Sequence, residues 1–175
     1  ALVSKAQLVL ADGNGTRPVR VSTPRRGAVL YPRWSPDGSR VRFTVNEPRD
    51  GMTPASNIWE VSRDGGEPRL VLRDWNPSIG TCCGVWTSDG RRFVFQANRG
   101  DRRTDLWVLT EPGAFDRWFH RLPRVAALSA GPLSLSGPAA SPDGRTLFAI
   151  GALQQGQLVR WDEASGAFVP YLGGI

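Results

Sequence analysis

The feature that most constrains this chain is a four-residue turn motif that occurs three times. It reads Ser-Pro-Asp-Gly at 35–38 and 141–144 and Thr-Ser-Asp-Gly at 87–90, so equivalent aspartates lie 52 and 54 residues apart. Asp-Gly between two alternating apolar runs favours a tight hairpin, because glycine adopts a positive φ at no steric cost. Recurrence at this period indicates a repeat architecture.

Each turn leads into a predicted strand in which apolar residues alternate with polar ones, the pattern of β structure. A third strand of each repeat is predicted at 57–61, 105–109 and 157–161, and a fourth at 69–72, near 118–122 and at 167–172. At the N-terminus, only the third and fourth strands have counterparts, at 7–10 and 18–21. Four antiparallel strands in a repeat of about 40–50 residues form a propeller blade.

The sequence therefore predicts an all-β fold, a partial β-propeller of about 3.5 four-stranded antiparallel blades. We divide it into a half blade (1–27) and three blades (28–79, 80–135 and 136–175). Residues 126–136 are predicted to be a small-residue linker, and 47–56 the longest exposed loop. The 20 glycines and 14 prolines suit many short strands joined by turns.

An incomplete ring has consequences for partners. Closed propellers have about four to eight blades, so this segment exposes apolar blade faces and unpaired strand edges. We expect a homo-oligomer, for instance a dimer that closes a ring, or association with the remaining blades of a longer parent propeller.

The net charge and the hydropathy pattern indicate which other classes of partner to expect. The net charge is +6, and the basic residues are arginines apart from Lys5. The arginines are scattered through turns and strand faces without aromatic interleaving, so no nucleic-acid partner is predicted. No apolar run reaches 18 residues, so this segment is not expected to insert into a membrane. The first residues also lack the pattern of a signal peptide.

No catalytic, cofactor-binding or metal-binding residue is predicted, and no cofactor. The aspartates of the turn motif (Asp37, Asp89 and Asp143) are interpreted as caps of the turn backbone. His120 is the only histidine, and no nucleophile elbow accompanies it. Cys82 and Cys83 are adjacent, so a disulfide between them is expected to be strained and not to form. The chain is therefore predicted not to be an enzyme.

Tryptophans recur at equivalent positions of the first two repeats. They are interpreted as packing between blades, with an aromatic ligand cage as the alternative. The residues are Trp34, Trp59, Trp86 and Trp107.

The Ser-Pro-Asp-Gly motifs, each followed by an alternating strand and later by an apolar-Trp strand, resemble the PD40 (WD40-like) repeat of TolB-like propellers. Two stretches, Cys82–Gly90 and Phe168–Ile175, resemble a subgroup familiar from Acidobacteria. There the propeller follows a winged-helix DNA-binding domain or a protein kinase domain. The resemblance implies a bacterial and extracytoplasmic, periplasmic protein.

Propellers host many unrelated activities, so the fold leaves several functions open. The leading hypothesis is a non-catalytic interaction or sensor module of a bacterial regulatory or signalling protein, which binds a protein or small ligand through loops or a central funnel. The alternatives are a gating propeller segment of a prolyl-oligopeptidase-like serine peptidase and a propeller fragment that only self-assembles.

Overall fold

The structure is a computed structural model, and it describes residues 7–21, 27–49, 52–73, 75, 80–98, 103–113, 123–129, 131–153 and 156–171. All regular elements within these ranges are β-strands, here β1 to β14, which confirms the all-β prediction. The strands form antiparallel hairpins that follow one another along the chain, as in propeller blades.

The N-terminal hairpin and the first blade share one core. The hairpin pairs β1 (Leu8–Leu10) with β2 (Val19–Val21). Blade 1 consists of β3 (Ala28–Trp34), β4 (Arg40–Arg49), β5 (Met52–Ser62) and β6 (Gly65–Leu70), in antiparallel order. Alternating apolar residues of the two units pack together; they are Leu8, Leu10, Val21, Val41, Phe43, Val45 and Val61.

Blade 2 consists of β7 (Gly80–Trp86), β8 (Arg92–Asn98), β9 (Thr104–Thr110) and β10 (Arg124–Ala127). It joins blade 1 through one parallel bridge between Ser56 and Gly80. The fourth strand is β10, of which only Ala126 and Ala127 lie in the predicted linker, and residues 118–122, near which this strand was predicted, lie outside the described ranges.

The last repeat, blade 3, comprises two hairpins. One pairs β11 (Ser134–Ala140) with β12 (Leu147–Ala152), and the other pairs β13 (Val159–Asp162) with β14 (Ala167–Pro170). Large apolar side chains of these strands are exposed, among them Phe148, Ile150, Trp161 and Phe168. An association that covers them, by a second copy or by further blades, stays a prediction.

The segment 47–56 differs from its prediction. It is mostly strand, because β4 and β5 continue past the expected ends and Glu47 pairs with Ala55. Ala55 is buried, which shows that this end of the hairpin packs against other residues. The alternating run simply extends further than the loop-like residues Pro48 and Gly51 suggested.

A β-bulge recurs at one equivalent position of all three blades. Tyr31, Cys83 and Gly137 have φ values of 54°, 58° and 59°, and the strand register shifts at each of them. Their spacing is that of the turn aspartates. An extra residue in one strand bends it and increases the local twist. The bulge is therefore a property of the repeat.

The bulge also explains a wrong prediction about the cysteines. Cys82 and Cys83 are joined by a disulfide bond. The expectation that they would not pair assumed a regular strand, in which neighbouring side chains point to opposite faces. The left-handed conformation of Cys83 breaks that alternation. The Cys83 amide donates a hydrogen bond to Thr44 Oγ1 at 3.3 Å and so links the bulge to blade 1.

Candidate functional site

The junction between blades 1 and 2 contains a buried cluster of charged side chains. Arg42 on β4 lies directly opposite Glu60 on β5, and its Nε donates a hydrogen bond to Glu60 Oε2 at 2.8 Å. Both residues are buried, with 3% and 4% of their surface exposed. Removing charges from water is costly, so such groups need partners with good geometry.

Three further charged side chains belong to the cluster. Arg42 also donates through Nη2 to Glu111, which follows the last residue of β9 in blade 2. Arg69 Nη2 donates to Glu60 Oε1 at 2.6 Å, and Arg40 Nη2 lies 3.3 Å from Glu111 Oε2. The cluster thus joins two blades and contains three guanidinium groups and two carboxylates, an excess of one positive charge.

Aromatic rings of blade 2 cover one side of Arg42. The Arg42 Cζ atom lies 4.2 Å from the Trp86 ring centroid and 4.8 Å from the Phe93 centroid. Arg40 Cζ lies 4.9 Å from the Trp86 centroid. These distances are typical of cation–π contacts, which are strongest where water is excluded. Arg42 is therefore held by carboxylates at its edge and by rings at its face.

The cluster forms the polar end of a cavity of about 450 Å³. Arg42, Glu60, Arg69 and Glu111 line this end. The rest of the wall is mainly apolar and is lined by Leu70, Val71, Leu72, Arg73, Trp75, Leu109, Pro123 and Val125. This combination of a mainly apolar wall with a few convergent polar groups is typical of small-molecule sites.

The charges keep Glu60 ionised. Burial raises the pKa of Glu60, but the Arg42 guanidinium, the hydrogen bond from Arg69 and the charge of Arg40 together outweigh it. The pKa of Glu60 therefore lies below its ordinary value of 4.5. The hydrogen bond to Glu60 also raises the pKa of Arg69. At neutral pH these groups are charged.

Two nitrogen atoms of the cluster, Arg40 Nε and Arg42 Nη1, make no hydrogen bond within the described part of the chain. Arg42 Nη1 is buried and makes no hydrogen bond to any described residue. A buried donor left unsatisfied costs about 1–3 kcal/mol. Arg42 Nη1 is screened from solvent, so this cost falls on the cluster itself.

The repeat shows that the fold itself does not need these charges. The positions in blade 2 equivalent to Arg42 and Glu60 are Val94 and Val108, which are cross-strand partners in the same way. Both valines are buried and pack with Leu106, Val85 and Leu135. The same scaffold thus accepts an apolar pair where blade 1 has an ion pair.

The turn aspartates form no ion pair with the cluster among the described contacts, although the turns of neighbouring blades touch, since a Cβ atom on Gly90 would lie 3.6 Å from Pro36 and one on Gly144 2.5 Å from Ser88. Each accepts hydrogen bonds within its own turn, for instance Asp37 Oδ1 from the Ser39 amide at 3.1 Å. The hydrogen bonds from Ser35 and Ser39 hold the pKa of Asp37 at about 2. Hydrogen bonds from Thr87 and Ser141 likewise lower the pKa of Asp89 and Asp143. His120 lies outside the described residues.

The predicted tryptophan positions divide into two groups. Trp86 is buried at the blade junction, and Trp59 and Trp107 pack against core clusters. Trp34, equivalent to Trp86, is 50% exposed. Trp75, which the sequence did not single out, contacts Phe95 and Trp107 and lines the cavity.

The described residues also bear on two other kinds of site, a membrane span and a metal centre. The described ranges contain no helix that is long and apolar enough to cross a membrane. Across the same ranges, histidine, cysteine, aspartate and glutamate side chains form no group of three or more suited to a metal ion.

No protein-family profile matches this chain. A curated relative, named "Uncharacterized peptidase YuxL" from Bacillus subtilis, is 28% identical over 139 residues. The match covers 75% of this chain but 18% of the relative.

Two solved structures are similar in fold. A putative TolB from Agrobacterium tumefaciens matches 89% of this chain and 52% of its own, with a TM-score of 0.55 and 17% identity. An acylaminoacyl peptidase from Pyrococcus horikoshii matches 70% of this chain and 17% of its own, with a TM-score of 0.50 and 12% identity. At these identities the likeness shows the fold, a TolB-like propeller segment.

The comparisons correct one prediction. The expectation that the chain is not an enzyme is wrong, because the curated relative is named as a peptidase and matches three quarters of this chain. That expectation rested on the lack of a catalytic constellation within the 175 residues. Such a lack is a weak argument, since the chain spans less than a fifth of that relative.

Proposed function

We propose that this chain is the β-propeller segment of a peptidase, and that it takes part in admitting peptides to a hydrolytic centre in another part of the protein. The observation that carries the proposal is the 28% identity to the Bacillus subtilis peptidase over 139 residues. The propeller fold supports it, because a peptidase of known structure contains a segment of similar fold. This is the gating role that the sequence left as an alternative.

The proposal is tested on the whole protein that contains this segment. We expect it to hydrolyse short peptide nitroanilides and to be labelled by a fluorophosphonate, the reagent for an activated serine. The 175-residue chain alone, at equal molarity, should do neither. A whole protein that is neither labelled nor active on free or N-acylated peptides would exclude a serine peptidase of this kind.

Admission through the propeller predicts an effect of peptide length. Glu60→Val breaks the charge cluster on one side and weakens the junction between blades 1 and 2, because it leaves the buried Arg42 without one of its two carboxylates. We expect the ratio of kcat/KM for a long peptide to that for a dipeptide to rise, with fluorophosphonate labelling unchanged. Equal change for both substrates would mean that the propeller does not select by length.

A second candidate is the propeller of a bacterial regulatory or signalling protein. The stretch Cys82–Gly90 favours it, because it resembles propellers linked to winged-helix or kinase domains. Sequencing the whole reading frame separates the two candidates. A serine nucleophile elbow with aspartate and histidine after the propeller supports the peptidase, and a helix-turn-helix or kinase domain before it supports the regulator.

A further inference from the structure

We propose that the cavity between blades 1 and 2 binds an organic carboxylate, a molecule in which an anionic group is attached to an apolar body. The proposal does not depend on peptidase activity. It concerns the chemistry of one cavity, and it is tested without any substrate turnover.

The first argument is the charge of the polar end. Two arginines of the cluster that line the cavity, Arg42 and Arg69, are balanced by Glu60 and Glu111. The exposed Arg73 also lines the cavity and gives it an excess of one positive charge. A cavity with this excess attracts an anion more strongly than a neutral or cationic molecule.

The second argument is the geometry of the donors. The Arg69 side chain is 72% exposed, so it can turn a guanidinium edge toward a ligand while it stays near Glu60. The exposed Arg73 is a second guanidinium at the cavity wall. A carboxylate offers two oxygens with several acceptor positions and matches the fork of arginine donors.

The third argument is the comparison between repeats. Val94 and Val108 show that a blade of this chain folds with apolar side chains at the positions of Arg42 and Glu60. A buried ion pair is often no more stabilising than a well-packed apolar pair. The charges in blade 1 are therefore better explained by a ligand than by the needs of the fold.

The apolar wall defines the rest of the ligand. Leu72, Trp75, Leu109 and Val125 continue the cavity away from the charged groups. A volume of about 450 Å³ falls within the usual range of ligand pockets, roughly 300–1,000 Å³. An aromatic or aliphatic group would be buried there, while its carboxylate reaches Arg69 and Arg73. Inorganic anions would lose this apolar contribution.

The test is isothermal titration of the 175-residue chain at low ionic strength with N-acetylphenylalanine and with N-acetylphenylalanine amide. The two differ only in the charge of the terminal group. We expect the acid to bind at least about tenfold more tightly than the amide. This is the usual difference in affinity that a charge-assisted hydrogen bond makes. Equal binding of acid and amide, or no binding of either, would overturn the proposal.

Two variants locate the binding. Arg69→Gln removes an exposed charge at the cavity and should preserve folding, and it should weaken binding of the acid by about tenfold. Arg145→Gln removes an arginine from the exposed turn of blade 3 and should leave binding unchanged. If both variants bind like the original chain, or if both weaken equally, the site is not this cavity.

The source of the carboxylate is distinguished by two further titrants. Ala-Ala-Phe carries its carboxylate at the end of a peptide, whereas octanoate is a simple acid. Tighter binding of the tripeptide identifies a peptide C-terminus as the ligand, and tighter binding of octanoate identifies a free organic acid. Both outcomes support a carboxylate site if Arg69→Gln weakens them.

Discussion

The junction between blades 1 and 2 and the junction between blades 2 and 3 use equivalent strand positions for opposite chemistry. At the first, Arg42 is paired with Glu60 and contacts the rings of Trp86 and Phe93. At the second, buried valines replace the ion pair, and the equivalents of the two rings are Ala140 and Leu147. The arginine and its aromatic neighbours thus occur together in one junction and are absent together from the other.

This difference separates the requirements of the blade from those of the junction. Turn, bulge and strand alternation recur in all three blades, with the same spacings. The residues that face the next blade do not recur. Stability of the blade and chemistry of the junction are therefore set by different positions, and substitutions can test each separately.

The largest expected effect comes from breaking the charged junction on one side. Glu60→Val leaves Arg69 without its carboxylate and Arg42 with only Glu111, although valine is tolerated at the equivalent position of blade 2. Removing one partner of a buried ion pair costs about 3–5 kcal/mol, and Arg42 keeps Glu111, so we expect the free energy of unfolding to fall by about 3 kcal/mol. Urea unfolding followed by tryptophan fluorescence measures it.

The control converts the junction fully to the chemistry of blade 2. Arg42→Val combined with Glu60→Val should cost less than Glu60→Val alone, because no unpaired Arg42 charge remains. The double-mutant cycle isolates the coupling between the two side chains. Additive effects of the two single substitutions would show that the pair does not act as a unit.

The next effect concerns the aromatic side of the same junction. A Cβ atom added to Gly84 would lie 2.2 Å from the Phe93 ring, so Gly84→Ala should destabilise the chain by about 1–3 kcal/mol through overpacking. Gly13→Ala is the control, since no atom lies within 4 Å of its added Cβ. The same cost for both variants would contradict this packing. The comparison is made by thermal unfolding.

A smaller effect depends on pH. Because the pKa of Glu60 is lowered in the folded chain, its stabilising contribution is present above 4.5 and is lost as pH falls through the folded pKa. The original chain should therefore lose more stability below pH 4.5 than the Arg42→Val, Glu60→Val variant. Urea unfolding of both proteins across this range measures the difference. Parallel pH curves would show that Glu60 does not titrate in this way.

Local signals predicted most of the fold. Each Asp-Gly turn specifies its hairpin through contacts within a few residues, and Gly38, Gly90 and Gly144 all have positive φ as that turn requires. The N-terminal hairpin followed from the same alternation. The prediction of a loop at 47–56 was wrong. Proline and glycine in this segment suggested that the strands end there, whereas cross-strand pairing continues to Arg49 and Met52.

The candidate site was missed because it depends on pairing at a distance. Arg42 and Glu60 become opposite neighbours only when the register of the β4–β5 hairpin is known, and Glu111 arrives from another blade. The repeat alignment did contain a signal. Charged residues occupy two positions of blade 1 at which blade 2 has valine, and a buried strand position that changes from valine to arginine is unusual.

The smallest effect tests what the blades share. Tyr31 adopts the left-handed conformation at a position where blade 3 has Gly137. That conformation costs a non-glycine residue about 1–2 kcal/mol. Glycine avoids this cost but lowers the stability by about 0.5–1 kcal/mol, because it makes the unfolded chain more flexible. Tyr31→Gly should therefore change the free energy of unfolding little, with a gain of at most about 1 kcal/mol.

Leu30→Gly, one residue earlier in the same strand, should be destabilising, because Leu30 lacks a positive φ and gains nothing from glycine. If urea unfolding shows equal losses for the two variants, the bulge is held by the Tyr31 side chain rather than by its backbone conformation.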